Sequence, residues 1–288
     1  MIITTDKIQI DKFQWFYRQA NPQNDPESDR TFQRTPVLFL HGLPAHSHTW
    51  QKLMTLLAEE EIPSIAPDWL GCGFSDKPST KDFDYTPEAY ITALGKLIAS
   101  LKLEQFYLVV QGFLGSVGIQ YALQNPEQIA GLIILNSPIT TSAKLPWKMQ
   151  QMTLPLVGDM ITQDPLLVDR TIEKGSGFVV ADEDLDILRK PFLQSSAVGR
   201  ALMTILKKLQ LKQTTSEIET GLRNWTTPTL IIWGTADSWL DLTEVQQLVA
   251  ANEHISLVEL PEAKHYPQEH WGSEISAEII QFFRRKVF

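Results

Sequence analysis

From residue 36 onward, short apolar runs alternate with longer segments of helical periodicity. Val37–Leu40 is apolar without a polar break, the pattern of a strand buried on both faces. Phe106–Val110, Ile129–Leu135 and Thr229–Trp233 repeat it, Ser64–Ala66 is a shorter version, and Ile255–Leu260 predicts a further strand. Between these runs, His48–Glu60, Pro87–Leu101, Leu114–Gln124, Leu242–Ala251 and Ser273–Arg285 predict helices. Pro87 falls in a first helical turn, where its missing N–H is no loss. Strands alternating with helices predict a parallel, doubly wound sheet. Ahead of this region, Lys7–Ile10 and Phe13–Arg18 predict two short strands joined by a tight polar turn. Residues 21–35 are polar, contain two prolines, and predict a surface loop.

Residues 138–225 break the alternation. They hold no convincing buried strand and are helical in pattern, and the alternation resumes at Thr229. The expected organisation is a core of residues 1–137 and 226–288 with a helical cap, 138–225, inserted after the sixth strand. Such a cap would fold over the carboxyl edge of the sheet, where open α/β sheets bind ligands. Asp182-Glu183-Asp184-Leu185-Asp186 fits an acidic first helical turn, favourable to the macrodipole, better than a calcium loop.

Composition narrows the function classes. With 288 residues, 43% hydrophobic and 20% charged, the chain can bury a large core without disulfides or metals. A formal charge of −9 argues against nucleic acid and gives no reason to bind an anionic membrane. The single Cys72 rules out an internal disulfide and fits a reducing compartment. The first residues lack the pattern of a signal peptide and no run is long enough to span a membrane, so a cytoplasmic protein is expected. His46 and His48 lie at i, i+2 without a third ligand in view and predict a solvated helix start rather than a metal site. No metal or cofactor is expected.

The chemistry lies at the strand ends. Phe106–Val110 stops abruptly at Gln111-Gly112-Phe113-Leu114-Gly115-Ser116, and a helical run of small and apolar residues follows at once. This strand, sharp turn and helix is the form in which a nucleophile is presented at the apex of a turn, here residue 112. Three further motifs line up with it. His41-Gly42-Leu43-Pro44, with Trp50 six residues on, follows the first buried strand. Asp68-Trp69-Leu70-Gly71-Cys72-Gly73-Phe74-Ser75-Asp76-Lys77-Pro78 follows the next. Trp233-Gly234-Thr235-Ala236-Asp237 and Ala263-Lys264-His265 close the set. Together the four resemble the α/β-hydrolase superfamily, specifically its capped epoxide hydrolase and haloalkane dehalogenase group, over nearly the whole chain.

The resemblance implies an α/β-hydrolase fold: a mostly parallel, eight-stranded sheet with an inserted helical cap. It makes Asp237 the triad acid and His265 the triad base, in the chain order this fold uses. A carboxylate accepting from one imidazole nitrogen sets the tautomer and leaves the other facing the site. The backbone N–H groups of Leu43 and Phe113 are the expected oxyanion hole. His41 is expected to brace that loop.

The sequence departs from the group at three points. Aspartate is expected at 112, and the chain has Gly112. Halide release in the dehalogenases uses side-chain N–H donors that here are replaced by Leu43 and Phe113. Epoxide opening uses cap tyrosines, whereas all six tyrosines (17, 85, 90, 107, 121 and 266) lie outside 138–225. Ser116 lies one turn inside the helix, and Gly115, Ser116 and Gly118 more simply let the helix approach the sheet. Cys72 gains no obvious base. A serine hydrolase acting through Ser116 is the least favoured of three readings, and two stand ahead of it. One is a degenerate hydrolase that binds a small apolar molecule under its cap, with Trp147, Met149, Met152, Met160, Phe178 and Phe192 as candidate walls or core. The other is an enzyme that uses His265–Asp237 as a general base without a covalent ester, in direct hydrolysis, lyase or cofactor-free oxygenase chemistry.

Overall fold

The computed structural model describes residues 3–21 and 35–285. The predicted loop at 21–35 lies almost wholly outside the described residues. Eight strands form one sheet in the order β1-β2-β4-β3-β5-β6-β7-β8. They are β1 (Ile3–Ile10), β2 (Phe13–Ala20), β3 (Val37–Leu40), β4 (Ser64–Pro67), β5 (Phe106–Gln111), β6 (Ile129–Leu135), β7 (Thr229–Gly234) and β8 (Ile255–Leu260). β1 and β2 pair antiparallel, as do β2 and β4, and every pairing from β4 through β3 to β8 is parallel. The doubly wound α/β architecture expected from the alternation is therefore observed. β1 begins earlier than predicted, because Ile3–Asp6 pair with Tyr17–Ala20 across the hairpin.

Side-chain alternation along the central strands builds two apolar layers. Leu38, Leu40, Leu108, Val110, Leu132, Ile134 and Ile231 face one, and Val37, Phe39, Val109, Ile133, Leu135 and Ile232 face the other. The first layer is covered by α2 (Pro87–Ser100), α3 (Gly112–Gln124) and α10 (Leu242–Ala250), the second by α1 (Gln51–Glu59) and α11 (Gly272–Arg284). A 3-10 turn, Ser47–Trp50, precedes α1. Thr86 accepts from Ala89 N–H to cap α2, with Pro87 at its first position.

Among the described residues, the stretch between β6 and β7 is helical: α4 (Trp147–Met152), α5 (Val157–Thr162), α6 (Leu167–Ser176), α7 (Asp182–Gln194), α8 (Ser196–Lys208) and α9 (Leu211–Arg223). α9 packs on α3 and α7 packs on the 3-10 turn. The first turn of α7 holds Asp182, Glu183 and Asp184, as its sequence predicts. No described helix is long and apolar enough to cross a membrane.

β3 has β4 on one side and β5 on the other, so chain direction through the sheet reverses between β3 and β5. Ligands in open α/β sheets bind outside the carboxyl ends of the strands at such a switch point. The residues following β3 and β5 there are His41-Gly42-Leu43 and Gly112-Phe113.

Candidate functional site

β5 ends in extended backbone at Gln111 (φ −140°, ψ 143°), and the next residue, Gly112, opens α3 at φ +69°. Only glycine takes this left-handed conformation without cost. A Cβ added at Gly112 would lie 3.2 Å from Gly42 Cα, 3.5 Å from His265 Nε2 and 4.0 Å from Leu43 N. The apex of the elbow therefore faces the imidazole and the Leu43 amide, and presents no side chain to either.

His265 lies five residues after β8 and Asp237 three after β7. Their side chains, each 1% exposed, meet through Nδ1 and Oδ2 at 2.9 Å. The structure thus brings Gly112, Leu43, Asp237 and His265 together. Phe113 joins them, its ring centroid 5.4 Å from that of His265.

Asp237 is held from three sides. Oδ1 accepts from Trp239 N–H at 2.7 Å, and Oδ2 also accepts from Asn136 Nδ2 at 3.0 Å. Asn136, just past β6, exchanges further hydrogen bonds with the backbone of Gly234. Gln111 Nε2 donates to the His265 carbonyl at 2.7 Å, tying the elbow to the histidine loop. Neither Asn136 nor the tethering role of Gln111 follows from the sequence motifs. The only available signal was a polar residue at the carboxyl end of an apolar strand.

With Asp237 on Nδ1, His265 Nε2 is buried and has no hydrogen-bond partner among the described residues. Around it stand Trp239, with ring centroids 4.6 Å apart, and Tyr266 at 4.9 Å. Tyr266 O–H donates to the Leu43 carbonyl at 2.6 Å, so the tyrosine braces the loop after β3. From the insertion, α6 closes on the same ring. Gly175 O accepts from Tyr266 N–H, and a Cβ on Gly175 would fall 2.3 Å from Tyr266 Cε2.

His41 is fully buried, with Nδ1 directed to the Gly42 carbonyl and Nε2 accepting from Trp69 N–H at 3.1 Å. Ser116 O–H is turned back onto the Phe113 carbonyl at 2.6 Å, inside α3 and buried. Cys72 is buried, and burial pushes its thiol up to about 12, so it carries no thiolate at neutral pH. Trp147 and Met160 do not pack as core: they are 70% and 76% exposed, and Met160 lines a surface cavity within the insertion, with Met152 and Arg170, rather than the space beside His265. Met149 and Met152 are core, and Phe178 stacks on His270.

The expected solvated helix start at His46 and His48 is corrected by the structure: both rings are buried. His46 Nε2 approaches the Ile187 carbonyl and His48 Nε2 meets Asp184 Oδ1 at 2.8 Å, both in α7. Burial pushes His46 down to about 4, so it is neutral near pH 7. Among the described residues no group of three or more His, Cys, Asp or Glu gathers in a metal-binding cluster.

Beside His48, Thr49 O–H donates to Glu269, and Gln268 Nε2 donates to Thr49 at 2.9 Å. Burial, reinforced by the Asp184 charge and opposed by the Thr49 hydrogen bond, raises the Glu269 carboxyl to about 7. A carboxyl raised on folding contributes stability that is complete below its unfolded value and is lost as pH climbs through its folded value. The window for Glu269 is thus from about 4.5 to about 7. His46 acts oppositely, its contribution being lost as pH falls from 6.5 towards 4. Glu269→Gln is expected to stabilise the protein above pH 7 by about 2 kcal/mol, allowing for the partial exposure of the side chain. Urea denaturation across pH 4.5–8 checks this; a variant that tracks the wild type at every pH would refute it.

Gly112→Asp tests the elbow. A non-glycine residue at this φ costs roughly 1–3 kcal/mol, and the variant is expected to fold with that loss. Unchanged or raised stability in urea melts would show that the apex carries no strain.

The alpha/beta hydrolase fold model matches residues 35–270. The chain is 27% identical over 256 residues to haloalkane dehalogenase 2 of Mycobacterium tuberculosis, covering 86% of this chain and 87% of that one. It is 29% identical over 269 residues to cis-3-alkyl-4-alkyloxetan-2-one decarboxylase of Shewanella oneidensis, covering 87% and 82%. Among solved structures, haloalkane dehalogenase DbeA from Bradyrhizobium elkani superposes with a TM-score of 0.83 at 21% identity, covering 99% of this chain and 100% of that one.

Proposed function

The chain belongs to the alpha/beta hydrolase fold family, and we propose that it binds a small, mostly apolar molecule beneath its helical insertion without forming a covalent ester. The observation that carries this reading is Gly112: the apex that faces His265 Nε2 has no atom with which to attack. Neither Ser116 nor Cys72 replaces it, the first being turned away into α3 and the second held as a thiol. Residues 138–225 act as the cap, through α6 over Tyr266 and α7 over the 3-10 turn. The walls nearest His265 are apolar or aromatic: Leu43, Phe113, Trp239 and Tyr266. The Mycobacterium tuberculosis and Shewanella oneidensis relatives carry names that denote alkyl-bearing substrates, which agrees with an apolar ligand.

A second reading has its own support. Asp237 occupies Nδ1 and leaves Nε2 unpartnered, the arrangement of a general base. Under that reading, water activation or proton abstraction at Nε2 would replace ester chemistry.

Mass spectrometry separates these. Native spectra of the protein with a library of alkyl-bearing compounds are expected to show adducts that vanish on denaturation. Adducts that survive denaturation would overturn the non-covalent reading, and no adduct under native conditions would overturn binding. Product formation abolished by His265→Gln would favour the general base.

A further inference from the structure

We infer that the space beside Gly112 is a carboxylate site, and that the ligand of this pocket carries a carboxylate head where the chain itself supplies none. The inference deepens the binding reading above and rests on it. The direction a Cβ would take from Gly112 leads past Gly42 Cα, 3.2 Å from the Cβ position, towards the imidazole and the Leu43 amide, so a group approaching the apex meets both. The boundary of that space is polar on two sides: His265 Nε2 lies 3.5 Å and Leu43 N 4.0 Å from the Cβ position.

His265 is 1% exposed and its Nε2 lacks a partner, while Nδ1 is engaged by Asp237. Buried polar atoms are nearly always paired, and leaving one unpaired is costly. The helix that starts at Gly112 runs 13 residues, and the Gln111 side chain does not cap it. Its first N–H groups, Phe113 among them, have no intrahelical acceptor, and the macrodipole favours an anion there. These features make independent demands, and a carboxylate answers both. One oxygen accepts from the Leu43 and Phe113 N–H groups, and the other meets Nε2.

One proton is shared between ring and ligand. With Nδ1–H directed at Asp237, an imidazolium donates from Nε2 to a carboxylate, or a neutral ring accepts from the O–H of the acid. The Asp237 charge lies across the ring and is absorbed by Nδ1, Asn136 Nδ2 and Trp239 N–H. The rings of Phe113, Trp239 and Tyr266, 4.6–5.4 Å from that of His265, make the surroundings of Nε2 apolar.

Isothermal titration calorimetry on the full chain, with straight-chain alkanoates from acetate to decanoate and the primary amides of equal length, tests this. Alkanoates are expected to bind about tenfold or more tightly than the matching amides, since charge-assisted hydrogen bonds are roughly twice as strong as neutral ones. In 15N-histidine-labelled protein, the Nε2 resonance of His265 is expected to move towards its protonated position with alkanoates. Gly112→Asp, which tethers a carboxylate in the same space, is expected to lose alkanoate binding. Equal affinity for acids and amides would overturn the carboxylate site and leave the apolar pocket standing. If neither series binds, the binding reading falls and the carboxylate site with it.

Discussion

Incubated with 1-haloalkanes or with epoxides, the purified protein is expected to release no halide and no diol above a no-protein control. Gly112, which puts no attacking atom at the apex facing His265, accounts for a large part of this expectation. Removing a triad nucleophile lowers turnover by about a million-fold in a well-studied protease. A positioned histidine acting as general base recovers only about 10² to 10⁴ of that. The neighbouring positions deepen the deficit. Leu43 and Phe113 offer backbone N–H groups but no side-chain donor for a departing halide. Tyr266 is the tyrosine that touches His265, and its O–H is committed to the Leu43 carbonyl rather than free to protonate an epoxide. Steady halide release from a haloalkane panel, abolished by His265→Ala, would contradict the expectation and the non-covalent reading with it.

His265 was legible from β8, an edge strand with only Ile255 and Leu260 buried, and the elbow and Asp237 were legible because each follows a buried strand. In parallel sheets such strands read as unbroken apolar runs, and their carboxyl ends can be located to within a residue or two. β6 and β8 have the predicted bounds, and β5 and β7 extend one residue further. The positive φ at Gly112 follows from the same logic, since a strand that turns sharply into a helix needs a left-handed residue at the junction. What the sequence hides are contacts across large separations. His46 and His48 find partners at Ile187 and Asp184, on a helix inserted more than a hundred residues later, so no local pattern marks them as buried. Trp147 and Met160 mislead for a different reason. α4 and α5 are six residues each, too short for an apolar stripe to define one buried face.

Asp68 belongs to the second motif, and its part in the site became visible only in the structure. Its carboxylate is fully buried, with Oδ1 accepting from Ser47 N–H and Oδ2 from Phe74 N–H, both at 2.7 Å. Desolvation works against this charge, and it is outweighed by His46, His41 and the Phe74 and Ser47 donors, which hold the carboxyl below its usual value. Since His46 is itself neutral near pH 7, the two backbone donors dominate at that pH. Asp68→Ala leaves both N–H groups buried without an acceptor and opens a cavity beside them. Breaking a buried charged network in this way costs about 3–5 kcal/mol. The Asp68 contribution is present above the unfolded carboxyl value and is lost as pH falls through the folded one, so the variant should differ most from the wild type at neutral pH. Asp68→Asn keeps the volume and one acceptor but turns an N–H donor against one of the two amides, and an intermediate loss is expected. The effect should also reach the candidate site, because Ser47 lies on the segment that carries Leu43 from β3 into the 3-10 turn. Urea denaturation of the three proteins at pH 7.5 is expected to rank wild type above Asp68→Asn above Asp68→Ala. A loss of less than about 1 kcal/mol in Asp68→Ala, the size of an ordinary surface substitution, would mean that this carboxylate does not hold the loop.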